Sequence, residues 1–313
     1  MMKEKNFVSV VVYVHNAENR IEKFLDSLIQ LLEDNFEHAE IICVNDFSLD
    51  NSVEKIKSAG QRAQDINITV VNLSYFHGLE IAMNAGMDIS IGDYVFEFDN
   101  TVIDYDISEV MKVYRRALEG FDIVSASADK KAKLSSRLFY YVYEKFAINP
   151  TGHMQTESFR ILSRRVLNRI AHMNKTIPYR KAVYAYSGLK ADHIVYTPVP
   201  ISINTEIDKQ ERQNKLDIAI ETLLLFTNVG YKVSMFMFAV MLIMMVAVIV
   251  YTFIAYAVSS PVPGWTSSIL FMSVAFLGLF IILSIVIKYL QLLLELVFKR
   301  QQYSFESIEK IKK

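Results

Sequence analysis

The stretch from Val233 to Ile287 constrains this sequence most, because it contains no Asp, Glu, Lys or Arg. A short segment rich in Ser, Pro and Gly, residues 259–264, divides it into two halves. A helix of roughly 20 apolar residues crosses a bilayer core about 30 Å thick, so each half is long enough to span it. The sequence therefore predicts a two-helix transmembrane hairpin over residues 232–290.

Positive charges predict how this hairpin is oriented. Lys and Arg flank it on both sides, whereas residues 257–268, between the two helices, carry none. Short flanking segments that are rich in Lys and Arg stay in the cytoplasm. We therefore expect an integral membrane protein with two transmembrane helices, whose termini and preceding domain are cytoplasmic.

Two shorter segments border the hairpin. Residues 209–231 carry an apolar stripe opposite acidic side chains, which predicts a juxtamembrane amphipathic helix along the bilayer surface. Residues 291–313 are expected to form a cytoplasmic tail. The remaining residues, 1–208, have the length of one α/β domain.

The first part of this domain alternates short β-branched runs with longer segments of helical periodicity. That alternation is typical of an α/β fold with a mostly parallel sheet. The predicted strands are 7–13, 40–44, 68–73, 94–98 and 123–125, and the predicted helices are 17–33, 49–64, 79–89 and 107–118.

Polar residues follow three of the predicted strands. Asn16 and Glu18 follow the first, Asp46 the second and Asp99 the fourth. Ligands of open α/β sheets bind at the carboxyl ends of the strands, so these residues are site candidates. No Gly-rich phosphate loop accompanies them, so side chains and a metal would have to hold a nucleotide. The alternative is that Asp46 and its neighbours only turn the chain and cap the next helix.

These motifs, in this order and spacing, resemble glycosyltransferase family 2. The later ones resemble its polyisoprenyl-phosphate branch, which includes dolichol-phosphate mannose synthases and bacterial undecaprenyl-phosphate sugar transferases and also ends in a membrane hairpin. The resemblance implies a GT-A-type, Rossmann-like nucleotide-sugar domain, followed by an interfacial helix and the hairpin. The residues that carry it are 8–12, Asn16, 40–52, 73–78, 85–86, 92–95, 98–99, 138–140 and 158–165.

The resemblance also implies an activity. It is the inverting transfer of a hexose from a UDP- or GDP-linked donor to a polyprenyl phosphate at the cytoplasmic leaflet. It assigns Asn16, Glu18, Asp46 and Asp99 to the nucleotide sugar. A homo-oligomer is a further expectation, and a nucleic acid is not among the expected partners.

Asp99 is the expected ligand of a divalent cation, Mg²⁺ or Mn²⁺. It ends an apolar strand, and Mg²⁺ in proteins often takes only one or two carboxylates, with phosphates and waters completing its shell. Where the family usually has Asp-x-Asp, this chain has Thr101 at the third position. A literal Asp-x-Asp occurs at Asp104 to Asp106, but Asp106 and Glu109 match a helix-capping pattern instead.

Catalytic roles are expected for Asp99, Glu157 and Arg160. The branch usually has a carboxylate at or beside Ser158 as a candidate base, and Glu157 is the substitute here. A phosphate acceptor is already largely dianionic at pH 7, because its second pKa is about 6. A strong base is therefore not essential. Arg160 and Arg164, four residues apart, are expected to share one face of a helix.

The acceptor phosphate is expected to meet the cations Lys131, Lys133 and Arg137, which precede an aromatic helix at 138–143. The alternative for this charge run is a solvated surface. Two alternatives to the whole activity also stand: a non-catalytic membrane scaffold that keeps the fold, and a family 2 transferase with a different acceptor.

Overall fold

The structure is a computed structural model, and its described residues fall into two units. Residues 1–144, 149–219 and 300–313 belong to the first unit, and residues 145–148 and 220–299 to the second. Lys131, Lys133, Arg137 and segment 209–231 lie outside the described residues. Described are residues 3–130, 139–143, 145, 157–173, 179–200, 232–233, 236–237, 239–241, 243–244, 247, 265–298 and 303–311.

One mixed sheet forms the centre of the first unit, and its strands have the order β7-β5-β6-β4-β1-β2-β3-β8. Strands β1 to β4 are parallel to one another where they pair, β5 is parallel to β7, and β6 and β8 run antiparallel to their neighbours. The strands are β1 Val8–Val14, β2 Ala39–Asn45, β3 Asn67–Leu73, β4 Tyr94–Phe98, β5 Ile123–Ala128, β6 Phe159–Ser163, β7 Ala191–Tyr196 and β8 Phe305–Ile311.

Helices connect the strands. The predicted alternation of strands and helices up to residue 118 is confirmed, with ends that agree within four residues. The helices of this unit that the structure describes with bounds are α1 Ile21–Asn35, α2 Ser52–Arg62, α3 Leu79–Ile89, α4 Glu109–Leu118, α5 Arg164–Met173 and α6 Arg180–Tyr186.

Helices cover both faces of the sheet, which explains why β1 is apolar along almost its whole length. Val10 and Val12 belong to a core that includes apolar residues of α1, α2 and α4. Val11 points to the other face, toward α3. A Cβ atom added to Gly86 of α3 would lie 2.5 Å from the Val11 side chain and 2.6 Å from Val44. Only a glycine therefore lets α3 approach the sheet this closely.

Strand order reverses at β1. The chain runs from β1 outward through β2 and β3, and then returns to the other side of β1 with β4. Ligands of such sheets bind at the carboxyl edge beside this switch point. The residues that follow β1 and β4 there include Asn16 and Asp99, so the fold brings two predicted site segments to neighbouring strand ends.

Two expectations differ from the structure. The helical pattern for Arg160 and Arg164 is wrong, because Arg160 lies in β6, directly opposite Glu97 of β4, while Arg164 begins α5. The ion pair across the strands accounts for an arginine in a short buried strand. Segment 291–313, expected to be a tail, contributes β8, which pairs with β3. Its alternating apolar and polar residues match a half-buried edge strand.

The second unit contains α7, Trp265–Phe298. A Cβ atom added to Gly278 would lie 2.1 Å from Met241 Cε and 3.3 Å from Met237 Cε, so α7 packs closely against these two methionines, which are both helical. Taken over all the described residues, no helix is both long enough and apolar enough to cross a membrane. Residues 248–264 lie outside the described ranges, and the transmembrane hairpin stays a prediction.

Candidate active site

Two loops at the carboxyl edge, residues 15–20 after β1 and residues 46–51 after β2, are joined by hydrogen bonds and are called the loop pair here. Asn16 Oδ1 accepts a hydrogen bond from the Leu49 backbone at 2.9 Å. The Glu18 carboxylate accepts one from the backbone of the second loop at 3.1 Å. Asn16 and Glu18, both predicted to bind the nucleotide, thus also hold the two loops together.

Two residues of the loop pair have left-handed backbone conformations. Asn16 has φ 45° and Phe47 has φ 55°. Asparagine adopts this region fairly often, but a bulky residue such as phenylalanine rarely does. Phe47 is nevertheless 43% exposed, so packing of its ring does not account for the conformation. Such outliers often mark functional segments, and this one lies beside the switch point.

Asp46, the first residue of the second loop, is fully buried against the loop after β3. Its carboxylate accepts hydrogen bonds from the backbone of His77 (2.7 Å) and Gly78 (2.8 Å) and from the Tyr13 hydroxyl (3.1 Å). Burial raises the pKa of Asp46, and these three bonds partly offset it. The predicted contact between Asp46 and the nucleotide sugar would require this arrangement to open. The alternative role, turning the chain ahead of the next helix, fits Asp50, whose carboxylate accepts a hydrogen bond from the Ser52 backbone N–H at the start of α2.

Aromatic side chains surround these loops. The rings of Tyr75 and His77 are stacked, with centroids 3.9 Å apart and planes inclined by 19°. Phe76 contacts the ring of His15 at 4.8 Å. Tyr75 is 57% exposed and, with Phe47, presents an apolar ring to solvent at this edge of the sheet. Exposed flat rings of this kind can stack on a planar ligand.

Where β4 ends and its antiparallel neighbour β6 begins, the structure has a buried group of charged side chains, called the ion-pair cluster here. At its centre, each of two guanidinium groups bridges Glu97 and Asp99. Arg160 contacts Glu97 at 2.8 Å and Asp99 Oδ2 at 2.9 Å, and Arg180 contacts Glu97 at 2.9 Å and Asp99 Oδ1 at 2.7 Å. The members are Glu80, Glu97, Asp99, Glu157, Arg160, Arg180 and Lys181.

The outer members of the cluster complete the pairing of each arginine. Glu80 of α3 contacts Arg180 Nε at 2.9 Å, and Glu157 lies 2.9 Å from Arg160 Nε. Lys181 lies 4.0 Å from Glu157. Four carboxylates and three cationic side chains give the cluster a formal charge of −1. Because both arginines are almost completely buried, these pairs are shielded from solvent and salt.

Asp99 is the member of the central four that reaches the surface, since its side chain is 12% exposed while those of Glu97, Arg160 and Arg180 are 0–1% exposed. Burial opposes its ionisation. The positive charges of Arg160, Arg180 and Lys181 outweigh this effect and hold the pKa of the Asp99 carboxyl well below its usual range. Asp99 therefore presents a permanent negative charge at the switch point.

The structure brings the three predicted catalytic residues together, because Arg160 contacts both Asp99 and Glu157. Sequence reasoning missed Arg180 and Glu97. Glu97 carried a signal, since it is a charged residue within an otherwise apolar strand. Arg180 carried none, because its partners come from α3 and β4, far away in the sequence.

A divalent cation fits this edge only in part. Each Asp99 oxygen accepts one guanidinium contact and keeps a lone pair, so Asp99 can supply one hard oxygen ligand. Thr101 offers no second carboxylate, and its buried hydroxyl has no hydrogen-bond partner among the described residues. The described part of the chain contains no group of three His, Cys, Asp or Glu side chains placed to hold a metal. A cation here would need the donor phosphates as ligands.

Comparison with known proteins agrees with the geometry. The family model described as "Glycosyl transferase family 2" matches residues 9–171, which is more than half of the chain. An uncharacterized glycosyltransferase of Synechocystis is 29% identical over 204 residues, which are 62% of this chain and 61% of that protein. An Escherichia coli prophage bactoprenol glucosyl transferase homolog is 26% identical over 198 residues, 60% and 62% of the two chains. The chain thus spans about three-fifths of the length of these relatives.

Solved structures show the same fold. Glucosyl-3-phosphoglycerate synthase from Mycobacterium tuberculosis, in a complex with Mn²⁺, UDP and glucosyl-3-phosphoglycerate, superposes with a TM-score of 0.51 at 20% identity. The match covers 70% of this chain and 79% of that one. The first unit is therefore a GT-A-like α/β domain with a mixed sheet.

Proposed function

Because the chain belongs to glycosyl transferase family 2, we propose that it transfers a hexose from a nucleotide-diphosphate sugar to a polyprenyl phosphate, with inversion. The observation that carries this proposal is Asp99, held ionised by two buried arginines and partly exposed at the switch point of the sheet. Relatives named bactoprenol glucosyl transferase and undecaprenyl-phosphate 4-deoxy-4-formamido-L-arabinose transferase support the polyprenyl phosphate acceptor.

The loop pair would bind the nucleoside of the donor. Its backbone is fixed by Asn16, Glu18 and the buried Asp46, and the exposed rings of Phe47 and Tyr75 could stack on a base. Uridine and guanosine both present a flat face and are both candidates. Stacking supplies affinity, and backbone groups of a preformed loop supply orientation at little cost in entropy.

We also propose that Asp99 holds Mg²⁺ or Mn²⁺ together with the donor diphosphate. When bound, such a cation neutralises charge on the leaving diphosphate. The formal charge of −1 on the ion-pair cluster supports this, because a diphosphate would otherwise be repelled. Calorimetric titration of UDP and GDP, with and without Mn²⁺, should give cation-dependent affinity that Asp99→Asn removes. Equal affinity with and without Mn²⁺ for the nucleotide that binds would contradict a cation at Asp99.

The reaction itself needs little covalent help from the protein. An oxygen of the dianionic acceptor phosphate forms a bond to the anomeric carbon, while the bond from that carbon to the donor diphosphate breaks and its electron pair leaves with the nucleoside diphosphate. Glu157 is engaged with Arg160 and Lys181, and we propose that it positions Arg160 and is not needed as a base. Alignment and charge would then supply most of the rate.

The acceptor is a membrane lipid, so we further propose that residues 232–290 form a transmembrane hairpin with both termini in the cytoplasm. Close packing at Gly278 supports paired helices. The native Cys43 is buried, so single introduced cysteines can report orientation. Ser260→Cys should react with an impermeant maleimide outside intact cells, and Ser202→Cys only after lysis. The reverse pattern, or two protected cysteines, would contradict this topology.

The activity is tested with the full-length protein in lipid, labelled UDP- and GDP-sugars and undecaprenyl phosphate. We expect one donor to yield a labelled lipid, and we expect Asp99→Asn to lower that yield by at least about 100-fold. If neither labelled lipid nor nucleotide binding is found, the chain is a scaffold with the family fold. If nucleotide binds and hydrolyses without lipid labelling, the acceptor is different.

A further inference from the structure

The segment that leads into β8 reaches beyond the end of the partner strand β3. Residues 303–311, called the strap here, contain β8 and pair antiparallel with β3 from Ile68 to Leu73. The pairing shifts register at Asn72 and Leu73 and then continues into the loop after β3. There the Ser304 carbonyl accepts hydrogen bonds from both the backbone and the hydroxyl of Ser74, each at 3.0 Å.

The strap also contacts the ring of His77. Ser304 N–H donates to His77 Nε2 at 3.2 Å. His77 Nδ1 lies 2.5 Å from the Tyr75 carbonyl, which can only accept, so this nitrogen carries the proton and Nε2 is the acceptor. The His77 side chain is 2% exposed and is stacked on Tyr75, which leaves the ring little freedom to move.

His77 connects this contact to the loop pair. Its backbone N–H and that of Gly78 donate to the two oxygens of Asp46. Gly78 has φ 84°, a conformation that other residues rarely adopt. The position of the His77 ring and the position of the Asp46 carboxylate are therefore set by one short segment, and Ser304 holds that segment from the other side.

A second series of hydrogen bonds runs from the strap to the same loop. Ser307 Oγ accepts from Asn72 Nδ2, and Asn72 Oδ1 accepts from Asn45 Nδ2, both at 2.9 Å. Asn45 Oδ1 then accepts from the Ser48 backbone at 3.1 Å. Asn45 and Asn72 are buried, so water does not compete for these bonds.

A strand that only covered the edge of β3 would need backbone bonds alone. Here two independent series of side-chain bonds start at the strap and end at Asp46 and Ser48, within the loop pair. We propose that the strap is a positioning element of the nucleotide site, which it acts on through His77 and Asn72. This inference rests on the proposed function, since it takes the nucleoside diphosphate of the donor as the ligand of the loop pair.

The test compares Ser304→Pro with Ser304→Ala in the full-length protein. Proline has no N–H, so it removes the donor to His77, whereas alanine keeps it. We expect the dissociation constant of UDP or GDP to rise roughly three- to tenfold in Ser304→Pro, as loss of one hydrogen bond would give, and to stay within about twofold in Ser304→Ala. Equal affinities in folded variants would overturn the proposal.

His77→Phe provides a second route in case Ser304→Pro does not fold. It keeps a ring to stack on Tyr75 and the backbone bond to Asp46, but loses the nitrogen that accepts from Ser304 and the N–H that donates to the Tyr75 carbonyl. Both changes remove the bond between Ser304 and His77, so adding Ser304→Pro to His77→Phe should weaken binding no further. Additive losses would show that Ser304 and His77 act separately and would contradict the proposal.

A readout that needs no ligand separates this inference from the proposed function. Amide hydrogen exchange of residues 74–78 should accelerate at least about threefold in Ser304→Pro relative to Ser304→Ala. If the wild-type protein binds neither nucleotide, the proposed function fails, while this exchange still decides whether the strap positions the loop. Unchanged exchange and unchanged affinity would leave β8 as an edge strand only.

Discussion

The loop pair and the ion-pair cluster lie at the same edge of one sheet, but different forces hold them. In the loop pair, uncharged backbone groups bind carboxylate and amide oxygens, and Asn16 and Phe47 have left-handed backbones. In the cluster, two buried arginines bind the carboxylates of Glu97 and Asp99. The loop pair therefore provides shape, and the cluster provides a fixed charge. This division suits a ligand with a flat base at one end and a diphosphate at the other.

The two regions also differ in what a single change should cost. A hydrogen bond contributes about 1 kcal/mol net between neutral groups and about 1.5–3 kcal/mol to a charged group, whereas a broken buried ion pair costs about 3–5 kcal/mol because a charge is left without a partner. Substitutions in the cluster should thus affect the free energy of unfolding more than substitutions in the loop pair.

The largest effect is expected for Arg180→Met. It leaves Glu80, Glu97 and Asp99 each without one partner, so the free energy of unfolding should fall by about 3–5 kcal/mol. Denaturant titration in detergent measures this. The control is Arg115→Met, an exposed arginine of α4, which should change the value by less than about 0.5 kcal/mol. A loss below about 1 kcal/mol for Arg180→Met would erase the distinction between the two regions.

A smaller effect is expected for Asp46→Asn. The amide nitrogen replaces one acceptor oxygen, so a buried N–H of His77 or Gly78 loses its partner at a cost of about 1–3 kcal/mol. The same denaturant titration applies, with the exposed Asp65→Asn as the control. A loss larger than that of Arg180→Met would reverse the predicted order.

Acid should affect the two regions in opposite directions. The pKa of Asp99 is lowered in the folded state, so its contribution to stability is complete above its unfolded pKa of about 3.9 and declines as pH falls below that value. The pKa of Asp46 is raised, so protonation favours the folded state as pH falls toward about 4.

Denaturant titrations between pH 3 and 7 check this sign. The stability of the wild-type protein relative to Asp99→Asn should shrink below about pH 4, and its stability relative to Asp46→Asn should grow as pH falls toward about 4. Parallel pH profiles for the two variants would contradict the contrast.

The smallest effect concerns Cys43, which is buried within β2 as part of the core. Burial raises the pKa of its thiol to about 12, so at pH 7.5 a maleimide should label it only when the domain opens. Labelling should be fastest in Arg180→Met, slower in Asp46→Asn and slowest in the wild-type protein. Rapid labelling of the wild-type protein would show that the sheet opens without global unfolding.

The fold up to residue 118 was predictable because each strand and helix there carries its own apolar period. For the site, the family resemblance pointed to single residues, and the structure brings three of them, Asp99, Glu157 and Arg160, together. Whether these residues and the loop pair act on a nucleotide sugar stays a prediction.

Other features depend on partners far away in the chain, where local patterns carry no information. Ser307 and Asn72, whose bond links β8 to β3, are 235 positions apart. Arg180 pairs with Glu80, which lies 100 positions earlier in the chain. The strand character of Arg160 follows from its pairing with Glu97, whereas its spacing from Arg164 indicated a helix. In each of these cases tertiary pairing, and not local propensity, decided the structure.

The proposed function requires a nucleoside diphosphate to bind where β1, β2 and β4 end. Hydrogen exchange measured by mass spectrometry on the full-length protein, with and without saturating UDP or GDP and Mn²⁺, tests this binding directly. One nucleotide should slow exchange in residues 15–18, 46–50, 75–78 and 99–101, and should leave α5 unchanged. Protection confined to other segments, or none with either nucleotide, would contradict it.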